Sequence, residues 1–317
     1  MVKVKKIKDK RLQMKLPPST RVPIETSDNM FTHHVVQVIV GKRQSGKSTY
    51  VCNYLRMLKQ EGKADRILVI SPTIESNKAL LESLDIDEDD CFDPSDRKVI
   101  PKIIDVLEDE RDQYVEELRK IKAFKEYKKV VEGTQVPVQA LDPYLLLEFS
   151  DEMGNLVQPT TKYGHRPCIH LWLDDCQSSP VFGDRRLHNM TIRHRHVAAM
   201  PFDKKDPEMC GGLGVSCYFC VQNLKSTGNG MPRAIRNNAT QMVIVGKSKD
   251  EQELKDIYSS VGGEINFEDF MRGYNYATAE PHNSFIIDLH PKKSHPSQFR
   301  KNMNEFIIPN NTIESKV

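Results

Sequence analysis

The sequence predicts an α/β fold in which helices cover both faces of a central, mostly parallel sheet. Three observations predict it. A glycine-containing loop stands between a β-branched run and a segment with helical apolar spacing. Short, nearly unbroken apolar runs recur along the chain, as expected of strands buried on both faces. The segments between them are long enough for the crossovers that parallel strands need. With 317 residues, 38% hydrophobic and 28% charged, the chain can bury one sizeable core.

The first strand is Val35-Val36-Gln37-Val38-Ile39-Val40. It runs into Gly41-Lys42-Arg43-Gln44-Ser45-Gly46-Lys47-Ser48, the pattern G-x-x-x-x-G-K-[ST] that cradles nucleotide phosphates. From Thr49 the apolar positions 51, 54, 55 and 58 have helical spacing, so strand, loop and helix stand in the order the motif requires. Gly41 and Gly46 let the backbone curl until successive N–H groups converge on a β-phosphate, aided by the positive end of the helix. Lys47 is placed to bridge the β- and γ-phosphates, Ser48 to offer its hydroxyl to Mg²⁺, and Thr49 to reach the α-phosphate. ATP and Mg²⁺ are the cofactors this implies.

Arg66 to Ser71 reads as a second buried strand ending in Pro72-Thr73, and Cys168 to Leu173 as a third, closing on Asp174-Asp175. An acid at the end of an apolar strand downstream of the loop is the other half of a nucleotide hydrolase. Asp174 is expected to hold Mg²⁺ through a water, and Asp175 to orient and polarise the attacking water. The next strand, Val215 to Gln222, ends in Gln222-Asn223. Beside the Asp174 strand it would bring the Gln222 amide close to the γ-phosphate, where an amide can report that phosphate. Thr240 to Val245 is a further strand, and Ser284 to Leu289 extends one edge.

Arginines flank the Gln222 strand: Arg193 and Arg195 before it, Arg233 and Arg236 after it. An arginine arriving at the developing charge accelerates phosphoryl transfer by ~10³ or more. Arg193 and Arg195 are the first candidates and Arg236 the second. His194, His196, Cys210, Cys217 and Cys220 do not read as a zinc site. Cys217 and Cys220, three apart in a strand, point to opposite faces.

Three regions stand outside this core. Residues 1–34 form a basic, proline-punctuated arm with Lys3, Lys5, Lys6, Lys8, Lys10, Arg11 and Lys15. Residues from about 75 to 165 read as a largely helical insertion. Within it, Ile103 to Val131 carries one weak apolar stripe (Leu107, Tyr114, Leu118, Ile121, Phe124), acids early and bases late, as suits a surface-riding helix or helical hairpin. Residues 291–317 read as a tail after a domain spanning 35–290. The formal charge of +2 confines any nucleic-acid contact to local basic clusters. Seven cysteines without scaffold spacing fit a reducing compartment, and no signal peptide or membrane-spanning run is seen, so a soluble intracellular protein is expected.

Gly41 to Ser48, Ile70-Ser71-Pro72-Thr73, Leu171 to Asp175, Arg193 to His196, Val221-Gln222-Asn223-Leu224-Lys225 and Pro232 to Thr240, in this order, resemble the genome-packaging ATPases of large DNA viruses, within the FtsK-HerA superfamily. The resemblance covers residues 35 to 246 with interruptions. It implies a P-loop NTPase of RecA/ASCE type, with Walker A at Gly41–Ser48 and Walker B closing on Asp174. It further implies a homo-oligomeric ring, pentamer or hexamer, that threads double-stranded DNA into a preformed capsid by ATP hydrolysis. Docking on a capsid or portal-vertex protein, in the host cytoplasm or the virion, follows from the same likeness. Gln222 matches the family's glutamine sensor, and Arg193 or Arg195 lies in the region of its intersubunit arginine finger. The insertion and the loop from Met200 to Gly214 depart from the pattern, and Asp175 stands where many translocases carry the longer glutamate. The motifs alone leave two other readings open, a P-loop nucleotide kinase and a scaffold whose assembly nucleotide orders.

Overall fold

The computed structural model of the chain describes residues 24–131, 149, 157–203, 206–225, 230–248, 250–261 and 265–309. The basic residues Lys3 to Lys15 of the arm lie outside the described residues. Nine strands form one sheet: β1 (Val36–Val40), β2 (Arg66–Ile70), β3 (Cys91–Phe92), β4 (Ile169–Asp174), β5 (Ser216–Val221), β6 (Gln241–Val245), β7 (Ser284–Asp288), β8 (Phe299–Lys301) and β9 (Glu305–Ile307). Their order is β3-β2-β4-β5-β1-β6-β7-β8-β9. The first six in that order are mutually parallel, and β7, β8 and β9 close the sheet as an antiparallel meander. The predicted parallel relation of β1 and β2 holds, but they are not neighbours, because β4 and β5 lie between them.

Alternate residues of the strands feed two cores. Val36, Val38, Val40, Leu171, Leu173, Phe219 and Val221 face one side, and Ile39, Trp172, Tyr218, Cys220 and Val243 the other. The second side is covered by α1 (Lys47–Gln60), which buries Val51, Cys52, Tyr54, Leu55 and Leu58. No side chain caps the start of α1. A missing cap forgoes only ~1 kcal/mol, whereas each of these apolar residues gains about 1.5–3 kcal/mol on burial, so packing fixes the helix and its first N–H groups stay available. Gly62, at φ 63°, ends it. Short α2 (Lys78–Glu82) adds Leu81 to the same core.

The opposite side is covered by α3 (Val99–Val131), α4 (Arg185–Ile192), α5 (Arg233–Asn237), α6 (Glu251–Val261) and α7 (Phe267–Ala277). Three expectations change here. The helix read as riding the surface is rooted in the core: Val99, Ile100, Ile103, Leu107, Tyr114 and Val115 are buried in it, so the first half of α3 covers the sheet on the crossover from β3 to β4. The region also contributes β3 to the sheet edge. The stretch after 290 is not simply a tail, because β8 and β9 are hydrogen-bonded into the sheet. The last part of the arm also belongs to the folded unit, with Met30 and Phe31 buried against α1.

These two termini hold one another. Lys292 Nζ donates to the carbonyls of Thr26 and Ser27 at 2.9 and 2.6 Å, and Arg300 Nη1 donates to the Asn29 carbonyl at 2.5 Å. The Arg300 guanidinium lies 4.8 Å from the Phe31 ring centre and 4.3 Å from that of Phe306, a stack that helps to hold a cation which is only 1% exposed.

Candidate active site

The loop between β1 and α1 turns through left-handed backbone at Gln44 (φ 62°) and Gly46 (φ 102°). At Gly41 a Cβ would stand 2.5 Å from Ser45 Oγ and 2.7 Å from the Val245 carbonyl oxygen, so a side chain there would force the loop open. Lys47 Nζ donates to the carbonyls of Gly41 and Lys42 at 2.8 and 3.0 Å, which folds its charge back over the loop. Ser45 Oγ is buried without a hydrogen-bond partner among the described residues. An unsatisfied buried hydroxyl costs about 1–3 kcal/mol, and with the uncapped N-terminus of α1 it makes the loop a cradle suited to an anion. Gly41 through Thr49, the residues predicted to bind nucleotide, make up this loop and the start of α1.

Asp174, the last residue of β4, is 4% exposed and accepts from Ser48 Oγ at 2.9 and 3.1 Å. Asn77 Nδ2 donates to the same carboxylate at 3.3 Å, and also to Thr73 Oγ1. Burial raises the Asp174 carboxyl above its ordinary range, while the Ser48 hydroxyl and the Lys47 charge pull it back. Ser48 and Asp174 offer hard oxygen donors only, side by side at the foot of the phosphate cradle, and so fit Mg²⁺.

Asp175 follows with φ 52°, a left-handed turn that lifts its carboxylate off the strand direction. β4 and β5 pair in parallel with Asp174 opposite Cys220, so Gln222 stands just past the end of β5, one residue beyond the level of Asp175. Gln222 Nε2 donates to Asp175 Oδ1 at 2.9 Å. The two residues expected to act on water are thus joined directly. Gln177 completes the junction: its Oε1 accepts from the Gln222 backbone N–H at 2.6 Å and its Nε2 donates to the Asn223 carbonyl at 2.8 Å.

Two cavities flank the loop. One of about 760 Å³ is bounded by residues 40–45, Gln222, Asn223 and the start of α6. The other, about 540 Å³, opens beside the start of α1 between Thr49, Tyr50 and Asn53 and the β8–β9 turn at Asn302 to Asn304. His282 stands between them and its Nδ1 bonds the Ser45 carbonyl at 3.1 Å.

The arginines lie elsewhere. The Val215 N–H donates to the His194 carbonyl at 2.8 Å, so Arg193 and Arg195 flank the start of β5, at the opposite end of the sheet from the loop. Arg236 is four residues before Thr240, whose N–H pairs with Val36 at the start of β1, and its Nε is held by the Met231 carbonyl. None of the three lines either cavity. Cys217 and Cys220 face opposite cores, as the strand spacing predicts. Asn77, Gln177 and His282 were not singled out by sequence. Asn77 follows the Ser71-Pro72-Thr73 turn and Gln177 follows the paired acids, so proximity to those motifs is their only signal. His282 has none.

In this sheet β5, followed directly by Gln222, separates the loop strand β1 from the acid-bearing β4, and the three parallel strands end on the same side of the sheet as Gly41–Ser48. That arrangement defines a P-loop NTPase fold. No protein-family model matches the chain, and no curated protein matches its sequence. Among solved structures the chain is similar to the genome packaging NTPase B204 from Sulfolobus turreted icosahedral virus 2. In complex with AMPPCP that protein is 13% identical over 85% of this chain and 97% of its own, with a TM-score of 0.37. In complex with ATP-gammaS it is 12% identical over 85% and 96%, with a TM-score of 0.38. The chain is also similar to EssC (ATPases 2 and 3) from Geobacillus thermodenitrificans, 12% identical over 92% of this chain and 47% of that one, with a TM-score of 0.42. Among the described residues no helix is long and apolar enough to cross a membrane.

Proposed function

We propose that this chain is an ATP-hydrolysing motor that packages viral double-stranded DNA into a preformed capsid. The observation that carries the hydrolytic part is the Asp175–Gln222 pair, set at the ends of adjacent strands next to the Ser48–Asp174 pair and the phosphate loop. Lys47 would release the loop carbonyls and neutralise the β- and γ-phosphates. Ser48 and Asp174 would hold Mg²⁺, which supplies charge neutralisation across those phosphates when bound. Asp175, aimed by Gln222, would accept the proton of the attacking water as its oxygen bonds to the γ-phosphorus and the bond to the β–γ bridging oxygen breaks, releasing ADP and phosphate.

The packaging part rests on the sequence resemblance of the ordered motifs. The positions of Arg193, Arg195 and Arg236 support a ring. Arg193 and Arg195, at the far end of the sheet, and Arg236, held at the Met231 carbonyl, stand away from this chain's own phosphate loop and would serve a nucleotide held by another copy of the chain, as a finger supplied in trans requires. A homo-oligomeric ring around double-stranded DNA, docked on a capsid or portal-vertex protein in the host cytoplasm or virion, completes the reading, with the basic arm available for phosphate backbone.

Steady-state ATP hydrolysis, with and without linear double-stranded DNA at low salt, tests it. DNA stimulation that disappears in Lys47→Ala and in Arg195→Ala is the expected result, with wild-type subunits rescuing the arginine variant in mixed assemblies. Hydrolysis indifferent to DNA would overturn the motor, and transfer of the γ-phosphate to a nucleotide acceptor in place of water would replace it with a kinase.

A further inference from the structure

Far from the phosphate loop, Asp65, His165 and Cys168 each bring one ligand atom within 4.8 Å of the others. Asp65 immediately precedes β2 and Cys168 immediately precedes β4, and the parallel pairing of those strands makes their starting ends neighbours. The Asp65 N–H donates to the Cys168 carbonyl at 3.0 Å, and the Cys168 N–H donates to Asp65 Oδ2 at 2.7 Å. His165 arrives on the turn that leads into β4. The hydrolytic reading uses none of the three.

The donor atoms are presented for a cation. His165 Nδ1 lies 2.9 Å from the Arg166 carbonyl oxygen, which can only accept, so Nδ1 carries a proton and Nε2 is left with its lone pair. A backbone carbonyl holding the other ring nitrogen is the usual outer support of a metal-bound histidine. Nε2 in turn faces Asp65 Oδ1 at 3.5 Å. Two lone-pair atoms so placed repel unless a cation lies between them, either a second proton on the imidazole or a metal ion. Cys168 Sγ beside them favours the metal, because a thiol adds nothing to an Asp–imidazolium pair but completes a nitrogen, oxygen and sulfur donor set. Zinc–ligand bonds of about 2.0–2.3 Å put tetrahedral donors about 3.3–3.8 Å apart. The Asp65–His165 pair already has that separation, and the set as a whole closes by a shift of about 1 Å. The charges of His165 and Lys63 act on Asp65 and those of Lys63 and Arg166 on Cys168, so Lys63 and Arg166 are the cations outside the set with which a metal would compete.

We propose that Asp65, His165 and Cys168 form a zinc site, with water as the fourth ligand, that ties the start of β2 to the start of β4. The His165 side chain is 36% exposed, which leaves the open position accessible to that water. On binding, the Cys168 S–H bond breaks, its sulfur pair passes to the metal and one proton leaves to solvent.

The test uses the full chain, stripped with a chelator, dialysed, and titrated separately with Zn²⁺ and Co²⁺. One equivalent of Zn²⁺ should be retained after gel filtration and should raise Tm. Co²⁺ should produce a sulfur-to-metal charge-transfer band and tetrahedral d–d absorption. Cys168→Ser should abolish the charge-transfer band, and the half-exposed His165→Gln should weaken Zn²⁺ at least about tenfold without lowering Tm in the absence of metal. No charge-transfer band in the wild type, or a band that survives Cys168→Ser, would overturn the proposal, the latter by assigning the thiolate to one of the other six cysteines.

Discussion

Gln222 Nε2 donates to Asp175 Oδ1 at 2.9 Å, across the ends of adjacent parallel strands. A carboxylate standing on a left-handed residue has few local restraints, so this bond fixes its orientation and, on the proposed reading, decides which of its lone pairs faces incoming water. Gln222→Glu replaces the donor with a second anion facing Asp175. The expected result is a fall in kcat of at least about tenfold, bounded by the 10²–10⁴ that a positioned base contributes, with KM for ATP nearly unchanged. Steady-state kinetics check it. A rise in KM with kcat retained would place Gln222 in nucleotide binding and not in hydrolysis.

Gln177 acts on the same junction from behind. Its amide satisfies one donor and one acceptor of the backbone at Gln222 and Asn223. Gln177→Leu should cost about 1–3 kcal/mol of stability through those two bonds and should lower kcat by loosening Gln222, again at constant KM. Gln177→Glu keeps the acceptor for the Gln222 N–H but loses the donor, so it should recover part of kcat. Equal kcat in the wild type and the leucine variant would confine Gln177 to stability.

The sequence shows the local parts of this site and hides the long-range ones. The loop, Asp174, Asp175 and Gln222 are legible because each sits at the carboxyl end of an apolar run, where the strand period and the break in hydrophobicity mark the position. Asn77 is 97 residues from Asp174 and His282 is 237 from Ser45, and no periodicity links such pairs. Strands of two or three residues, as in β3, β8 and β9, are too short to show alternation. The acidic and basic faces of α3 masked its buried start, because Val99, Ile100 and Ile103 precede the charged stretch and fall outside the stripe that its later part displays. Arg193 and Arg195 were legible only as a cluster. That they lie at the opposite end of the sheet follows from the direction of β5, which the sequence does not display.

Asp174 couples the site to stability. Burial raises its carboxyl above 3.8, so the stabilising contribution is full below that value and is lost as pH rises through the raised one. At neutral pH the ionised group therefore weakens the metal-free fold, with Ser48 and Lys47 offsetting part of the cost. Asp174→Asn should stabilise the metal-free chain by roughly 0.5–2 kcal/mol while removing Mg²⁺-dependent hydrolysis and the rise of Tm with Mg²⁺. Thermal melts at pH 7 with chelator and with Mg²⁺ measure both. A lower Tm in the asparagine variant under chelator would show that the carboxylate stabilises the fold by its own hydrogen bonds.

His170 sets the acid limit. The ring is fully buried on β4, with Nδ1 at 2.8 Å from the Tyr218 hydroxyl and Nε2 at 2.8 Å from the Lys63 carbonyl. The carbonyl accepts from Nε2–H, so the neutral ring takes the Tyr218 proton at Nδ1, and a second proton on the ring would place a cation in a site closed to water. Burial accordingly lowers the His170 pKa from 6.5 to about 4. In that interval the unfolded chain binds the extra proton and the folded one does not. The stabilisation is thus complete above 6.5 and falls away toward 4, by about 3 kcal/mol in all. Urea denaturation at pH 7.0, 5.5 and 4.5 should show the wild type losing stability steadily. His170→Gln should start lower, because it disturbs the Tyr218 and Lys63 bonds, yet change less with pH. Parallel pH profiles for the two proteins would assign the acid sensitivity to groups other than His170.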